Sequence, residues 1–114
     1  MDPISAATVT KALDGLSTRM TVTAANIANA NSGAFRPQRV RFEESLRAAA
    51  ARGLDAIRQV RPEIDAAPPG RFGDEPRLDM ELASATDTAM RYGALVGLLG
   101  REMEITRLLV RGGQ

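Results

Sequence analysis

Apolar residues recur through the first thirty positions in alternating steps of three and four: Ala6, Val9, Leu13, Leu16, Met20, Thr23, Ile27 and Ala30. That spacing predicts a helix with a heptad seam, and Pro3 suits its first turn. The seam is weak, because half its members are Ala, Thr or Val and Thr21 to Asn31 carries no charge. A helix of this composition gains little from surface ion pairs, so it is expected to need a packing partner and to be poorly ordered without one. The same alternation returns near the other end, over Leu82, Ala85, Ala89, Tyr92, Val96, Leu99, Met103, Thr106 and Val110. Leu95, Leu98, Ile105 and Leu109 widen that apolar face beyond a single seam. Asp79 and Glu81 at its start and Arg107 and Arg111 near its end suit the dipole of one long helix. Gly93, Gly97 and Gly100 interrupt it, each at about 1 kcal/mol relative to Ala, and are expected to permit close approach of another helix.

The chain between these patterns is less regular. Asn31-Ser32-Gly33 favours a helix stop, and Arg36 before Pro37 favours extended backbone. Val40 and Phe42 alternate with Arg39, Arg41 and Glu43, a short period-two pattern that fits a strand or an extended arm. From Glu43 to Arg61 a modest helix is expected, with Leu46, Ala49, Ala50, Leu54, Ile57 and Val60 on one side and an interruption at Gly53. Pro62 to Pro76, with four prolines and two glycines, reads as a loop. The expected architecture is mostly α and elongated: long N- and C-terminal helices in a coiled-coil-like pair, with a short extended and looped middle. Three segments follow: 1–34, an assembly helix and turn; 35–78, the arm, short helix and Pro-rich loop; 79–114, a second assembly helix.

A helix over 82–110 would be about 43 Å long, and two such rods do not make a compact globule of 114 residues. Each buries one face on the other, yet the C-terminal helix is apolar over more than one seam, so the surplus face is expected to pack against further subunits.

Composition removes several chemistries. With no Cys and no His there is no disulfide, thiol nucleophile, His base or ordinary zinc site, and no cofactor is expected. The remaining Asp, Glu, Ser and Thr show no partnered spacing of acid, base and nucleophile, so the chain is not expected to be an enzyme. The net charge of +1 hides a division: residues 36–61 carry seven Arg against Glu43, Glu44 and Asp55, whereas residues 62–82 carry six acids against Arg71 and Arg77. Adjacent blocks of opposite sign can satisfy each other within or between subunits, which is expected in preference to a nucleic-acid surface. No apolar run approaches the length of a membrane span, and no basic patch with an apolar core marks a cleaved signal peptide.

Asn26 and Asn29 lie three apart, so on a helix they share an edge and can bond a neighbouring chain or the helix's own end. The run Asn26-Ile27-Ala28-Asn29-Ala30-Asn31-Ser32-Gly33-Ala34-Phe35-Arg36 resembles the Asn-Ile-Ala-Asn-Ala-Asp-Thr-Pro-Gly-Tyr-Lys motif near the N-terminus of bacterial flagellar rod and hook proteins. Six positions depart from it, those at 31, 32 and 36 conservatively; Phe35 keeps the aromatic, and Gly33-Ala34 stands where the family has Pro-Gly. A second stretch, Gly73 to Ala83 followed by Met90-Arg91-Tyr92, is similar to the pattern of the proximal rod type, FlgB. There Asp79, Glu81, Leu82, Ala83, Arg91 and Tyr92 fit, while Pro76 and Arg77 do not. The chain has no room for the large β-rich insertion of distal rod and hook members.

The resemblance implies a non-enzymatic subunit of the flagellar basal-body rod, the drive shaft of motility. It would be exported through the flagellar type III apparatus without a cleaved signal and would contact copies of itself, other rod proteins and the base of the motor. The contact set expected is Leu13, Leu16, Met20, Asn26, Ile27 and Asn29 on the first helix and Leu82, Ala89, Tyr92, Val96, Leu99, Met103 and Val110 on the last, with the asparagine amides facing neighbouring subunits. The alternatives are another small proximal rod protein of the same superfamily, or a basic helical nucleic-acid binder using Arg36, Arg39, Arg41, Arg47, Arg52, Arg58 and Arg61.

Overall fold

The computed structural model describes residues 1–66 and 78–113. Helix α1 (Pro3–Ala28) opens on Asp2, whose carboxylate accepts the Ser5 N–H at 2.7 Å, with Pro3 at the first helical position, where its missing N–H costs nothing. It closes at Asn29, whose backbone N–H and side-chain Nδ2 both donate to the Ala25 carbonyl. Helix α1 thus ends at Ala28, three residues before Asn31, because the Asn29 amide competes for the last carbonyls. Turn bonds from Ser32 N–H to Asn29 and from Phe35 N–H to Ser32 carry the chain round into strand β1 (Gln38–Arg41).

Helices α2 (Glu43–Arg52) and α3 (Leu54–Gln59) then follow. They divide at Gly53, whose φ of 115° is the left-handed backbone that a side chain resists. The expected loop from Pro62 needs correcting: Glu63–Ala66 form strand β2, antiparallel to β1 with Val40 opposite Ile64 and Arg41 opposite Glu63. Proline content hid a four-residue strand whose pairing partner lies more than twenty positions earlier. The rest of that expected loop, residues 67–76, lies outside the described residues.

Helix α4 (Leu78–Gly112) is about 52 Å long at 1.5 Å per residue. It runs antiparallel to α1: the Met1 amine lies 2.8 Å from Glu102, and at the other end Asn26 lies 3.2 Å from Glu81. Residues 103–112 therefore project past the start of α1 by about 15 Å. The molecule measures 66 × 27 × 14 Å, and its radius of gyration of 17.9 Å exceeds the roughly 13 Å of a compact chain this long. The mostly helical, elongated pair is as the two seams required.

The core lies between α1 and the middle segment. Leu16 and Val22 of α1 meet Val40, Phe42, Leu46, Ala49 and Ile57, with Tyr92 and Leu95 of α4 packed against them. The alternation of Val40 and Phe42 and the apolar side of residues 46–57 both point inward, as their spacing predicts. Phe42 comes so close to α1 that a Cβ on Gly15 would sit 2.4 Å from its ring.

Candidate assembly surface

The α4 positions that turn toward α1 are Glu81, Ala85, Thr88, Tyr92, Leu95, Leu99 and Glu102, a three-four series. It shares only Ala85, Tyr92 and Leu99 with the series expected from hydrophobicity. The helix is rotated so that three of the inward positions are polar, Glu81, Thr88 and Glu102, the first two of them buried. A reading of apolar spacing passes over such residues. Leu82, Ala89, Val96, Met103 and Val110, every seventh residue, consequently face solvent.

Tyr92 to Gly100 contains no charged residue, and nine residues at 100° each pass more than twice around a helix. No direction around the helix carries a charge over this stretch, with large apolar groups on the α1 side and both flanks and glycines on the remaining side, whereas α1 covers one side. Val96 and Met103 lie on one flank of the α1-facing line; Leu98, Ile105 and Leu109 lie on the other. Val96 is 47% exposed and Leu109 72%. Leu78, Met80, Leu82, Met90, Leu108 and Val110 are exposed too. Together these large side chains leave on the order of 1,000 Å² of apolar surface in water, spread over more than one face of the helix. A Cβ placed on Gly93, Gly97 or Gly100 would meet nothing within 4 Å. Among the described residues no helix makes the close approach expected at those glycines, so that side of α4 is open to a neighbour.

The first helix behaves differently. Leu16 is buried in the core and is not available to another subunit, while Leu13, Met20 and Ile27 are half-buried. Asn26, expected to face neighbouring subunits, is 1% exposed. Its Oδ1 accepts the Gln38 N–H at 3.0 Å, and its Nδ2 donates to the Gln38 carbonyl at 2.9 Å and to Glu81 at 3.2 Å. The amide thus pairs with β1 as a neighbouring strand would. Glu81, 3% exposed, completes the junction through an ion pair with Arg39 at 2.7 Å. One amide and one carboxylate thereby fasten the end of α1, the start of β1 and the start of α4. Asn29 is exposed and spends its amide on its own helix end.

A second junction was not foreseen. Arg19 grips Glu43 with two hydrogen bonds of 2.6 and 2.7 Å, donates to the Val40 carbonyl at 2.8 Å, and lies 4.9 Å above the Phe42 ring. This holds the Glu43 carboxyl below its ordinary range, chiefly by the Arg19 hydrogen bond. The available signal was Gly15, a costly residue for a helix interior, placed one turn before an arginine.

The basic and acidic blocks meet within the subunit. Arg41 bridges Glu63 and Asp65 and Arg39 pairs with Glu81, while Arg47 and Arg58 pair with Glu44 and Asp55 inside the basic block itself. A cavity of about 210 Å³ lies beside β1, lined by Arg19, Thr23, Gln38, Arg39, Met80, Glu81 and Ser84 among others. Both of its arginines are held by carboxylates. Among the described residues, no group of three acidic side chains is placed to hold a metal ion, and no helix is long and apolar enough to cross a membrane. Compared with protein-family models and with curated proteins, the chain matches none.

Proposed function

We propose that this chain is a structural subunit without catalytic activity, built to be enclosed by neighbours in a helical assembly. The observation that carries the reading is the uncharged circumference of α4 from Tyr92 to Gly100, covered by α1 on one side and exposed on both flanks. A helix apolar all round belongs in an interior. A single two-fold partner meets one patch, so two exposed flanks favour at least two neighbours, as in a ring or filament.

The particular assembly is the proximal rod of the bacterial flagellum, and the chain is a rod subunit of the FlgB type. The run from Asn26 to Arg36 and the residues Asp79, Glu81, Leu82, Ala83, Arg91 and Tyr92 support this over a generic helical subunit. Two motif residues, Asn26 and Glu81, are hydrogen-bonded to each other, which gives the resemblance a shared structural role at opposite ends of the chain. Its partners are then copies of itself and other rod proteins, with the type III export apparatus and the motor base at the start of its path. Its place is the basal body, where the rod crosses the periplasm. Pairing of Arg39 with buried Glu81 and of Arg41 with Glu63 and Asp65 supports an assembly role over a nucleic-acid surface, which needs cations available to phosphate.

Deletion of the gene followed by purification of basal bodies tests this reading. Loss of rods and of motility, restored by the wild-type gene, is the expected outcome; normal rods in the deletion strain would overturn it.

A further inference from the structure

We propose that the outer edge of β2 is a docking edge for an extended segment of another protein carrying basic residues at alternate positions. This inference is independent of the rod reading. Gln38 and Val40 turn their backbone groups away from β2, toward the side chains of Asn26 and Arg19. That fixes the phase of the antiparallel ladder: the 39–65 and 41–63 pairs exchange its hydrogen bonds, and Ile64 and Ala66 direct their N–H and C=O groups outward. The inner edge of the sheet is closed by side chains, so a third strand can be added only beside β2. All four residues of β2 are exposed, and Ile64, opposite buried Val40, leaves 49% of its surface in water.

Charge chooses the occupant. Glu63 and Asp65 share the one guanidinium of Arg41, since Arg39 is engaged with Glu81. One cation against two carboxylates leaves the strand acidic. An added strand with Arg or Lys at alternate positions supplies the missing cations on that face and sets its intervening apolar residue beside Ile64. A second copy's β2 would instead set carboxylates against carboxylates, and like charges directly opposite are unfavourable.

The test uses the full chain, labelled with nitrogen-15 and titrated with a peptide Thr-Arg-Val-Arg-Val-Arg-Thr blocked at both ends. Saturable shifts of the amides at 63–66 are expected, with no such shifts from the peptide bearing Glu for Arg. Ile64→Pro removes an outward N–H and leaves the ladder bonds of residues 63 and 65 in place, so it should weaken binding at least about tenfold while circular dichroism is unchanged. Ala66→Pro repeats the test if Ile64→Pro loses its fold. Absence of shifts at millimolar peptide, shifts spread over the surface without saturation, or equal binding by the folded proline variants would overturn the proposal.

Discussion

Replacing Gly15 with Ala sets two opposed effects against each other, and the structure decides between them. In an exposed helix interior the change gains about 1 kcal/mol of helix propensity. Here the added methyl would stand 2.4 Å from Phe42 Cδ1 and 2.5 Å from Cγ and Cε1. Carbon atoms in contact prefer at least about 3.5 Å, so ring and helix must separate by about 1 Å. The ring cannot retreat easily: Phe42 is buried among Leu46, Ala49 and Ile57, and Arg19 lies over its face. Overpacking of this kind costs about 1–3 kcal/mol, so we expect Gly15→Ala to destabilise by about 1 kcal/mol net. Urea unfolding followed by circular dichroism should show a lower midpoint with an unchanged slope. In a Phe42→Ala background, kept folded with sulfate, the same substitution should stabilise. Stabilisation of the wild-type background by about 1 kcal/mol would refute the close packing of α1 on Phe42.

Three further perturbations separate the subunit's internal junctions from its open surface. Asn26→Leu leaves the Gln38 N–H without its partner, removes one of the two donors to the Gln38 carbonyl, which keeps Arg39 Nη1, and removes a donor from Glu81, which should cost about 1–3 kcal/mol in chemical unfolding. Because Arg19 depresses the folded-state pKa of Glu43, that pair stabilises above the unfolded Glu value of about 4.3 and its contribution is lost as pH falls through the folded value. Glu43 is nearly half exposed, so Arg19→Met should remove no more than about 1 kcal/mol of acid-dependent stability in a pH series of thermal melts. Gly97→Ala, where a methyl meets open space, should stabilise the isolated chain by up to about 1 kcal/mol and still impair assembly if a neighbouring helix approaches there; unimpaired assembly would remove that role from the glycine.

Apolar spacing alone made the long helices legible, together with the inward faces of Val40, Phe42 and residues 46–57, because each follows a local period. The rotation of α4 was not legible. Glu81 and Thr88 sit on its inner face, and burial of Glu81 depends on an amide fifty-five residues away and an arginine on a strand. Strand β2 was missed for a related reason, since four exposed residues after a proline acquire meaning only through β1. Among the expected contact residues, Leu82, Ala89, Val96, Met103 and Val110 lie on the surface, whereas Leu16 and Asn26 are used inside the subunit. Of the α4 seam, only Ala85, Tyr92 and Leu99 turn toward α1 within the subunit. Asn26 and Asn29 divide likewise: both share a helix edge, yet only Asn26 meets a strand, while Asn29 caps its own helix.

Whether neighbours cover both flanks of α4 can be read by cross-linking, because the chain contains no cysteine of its own. Val96→Cys marks one flank and Leu98→Cys the other, at positions exposed enough that neither should disturb the fold. Cells expressing the double variant from the native locus are treated with a short bis-maleimide, and the protein is resolved under denaturing conditions. Enclosure of both flanks predicts a ladder extending beyond the dimer for the double variant, present in purified basal bodies and lost on Tyr92→Asp, which breaks the α1-facing side. Monomer alone in assembled cells, with both cysteines still reactive to a small maleimide, would contradict it.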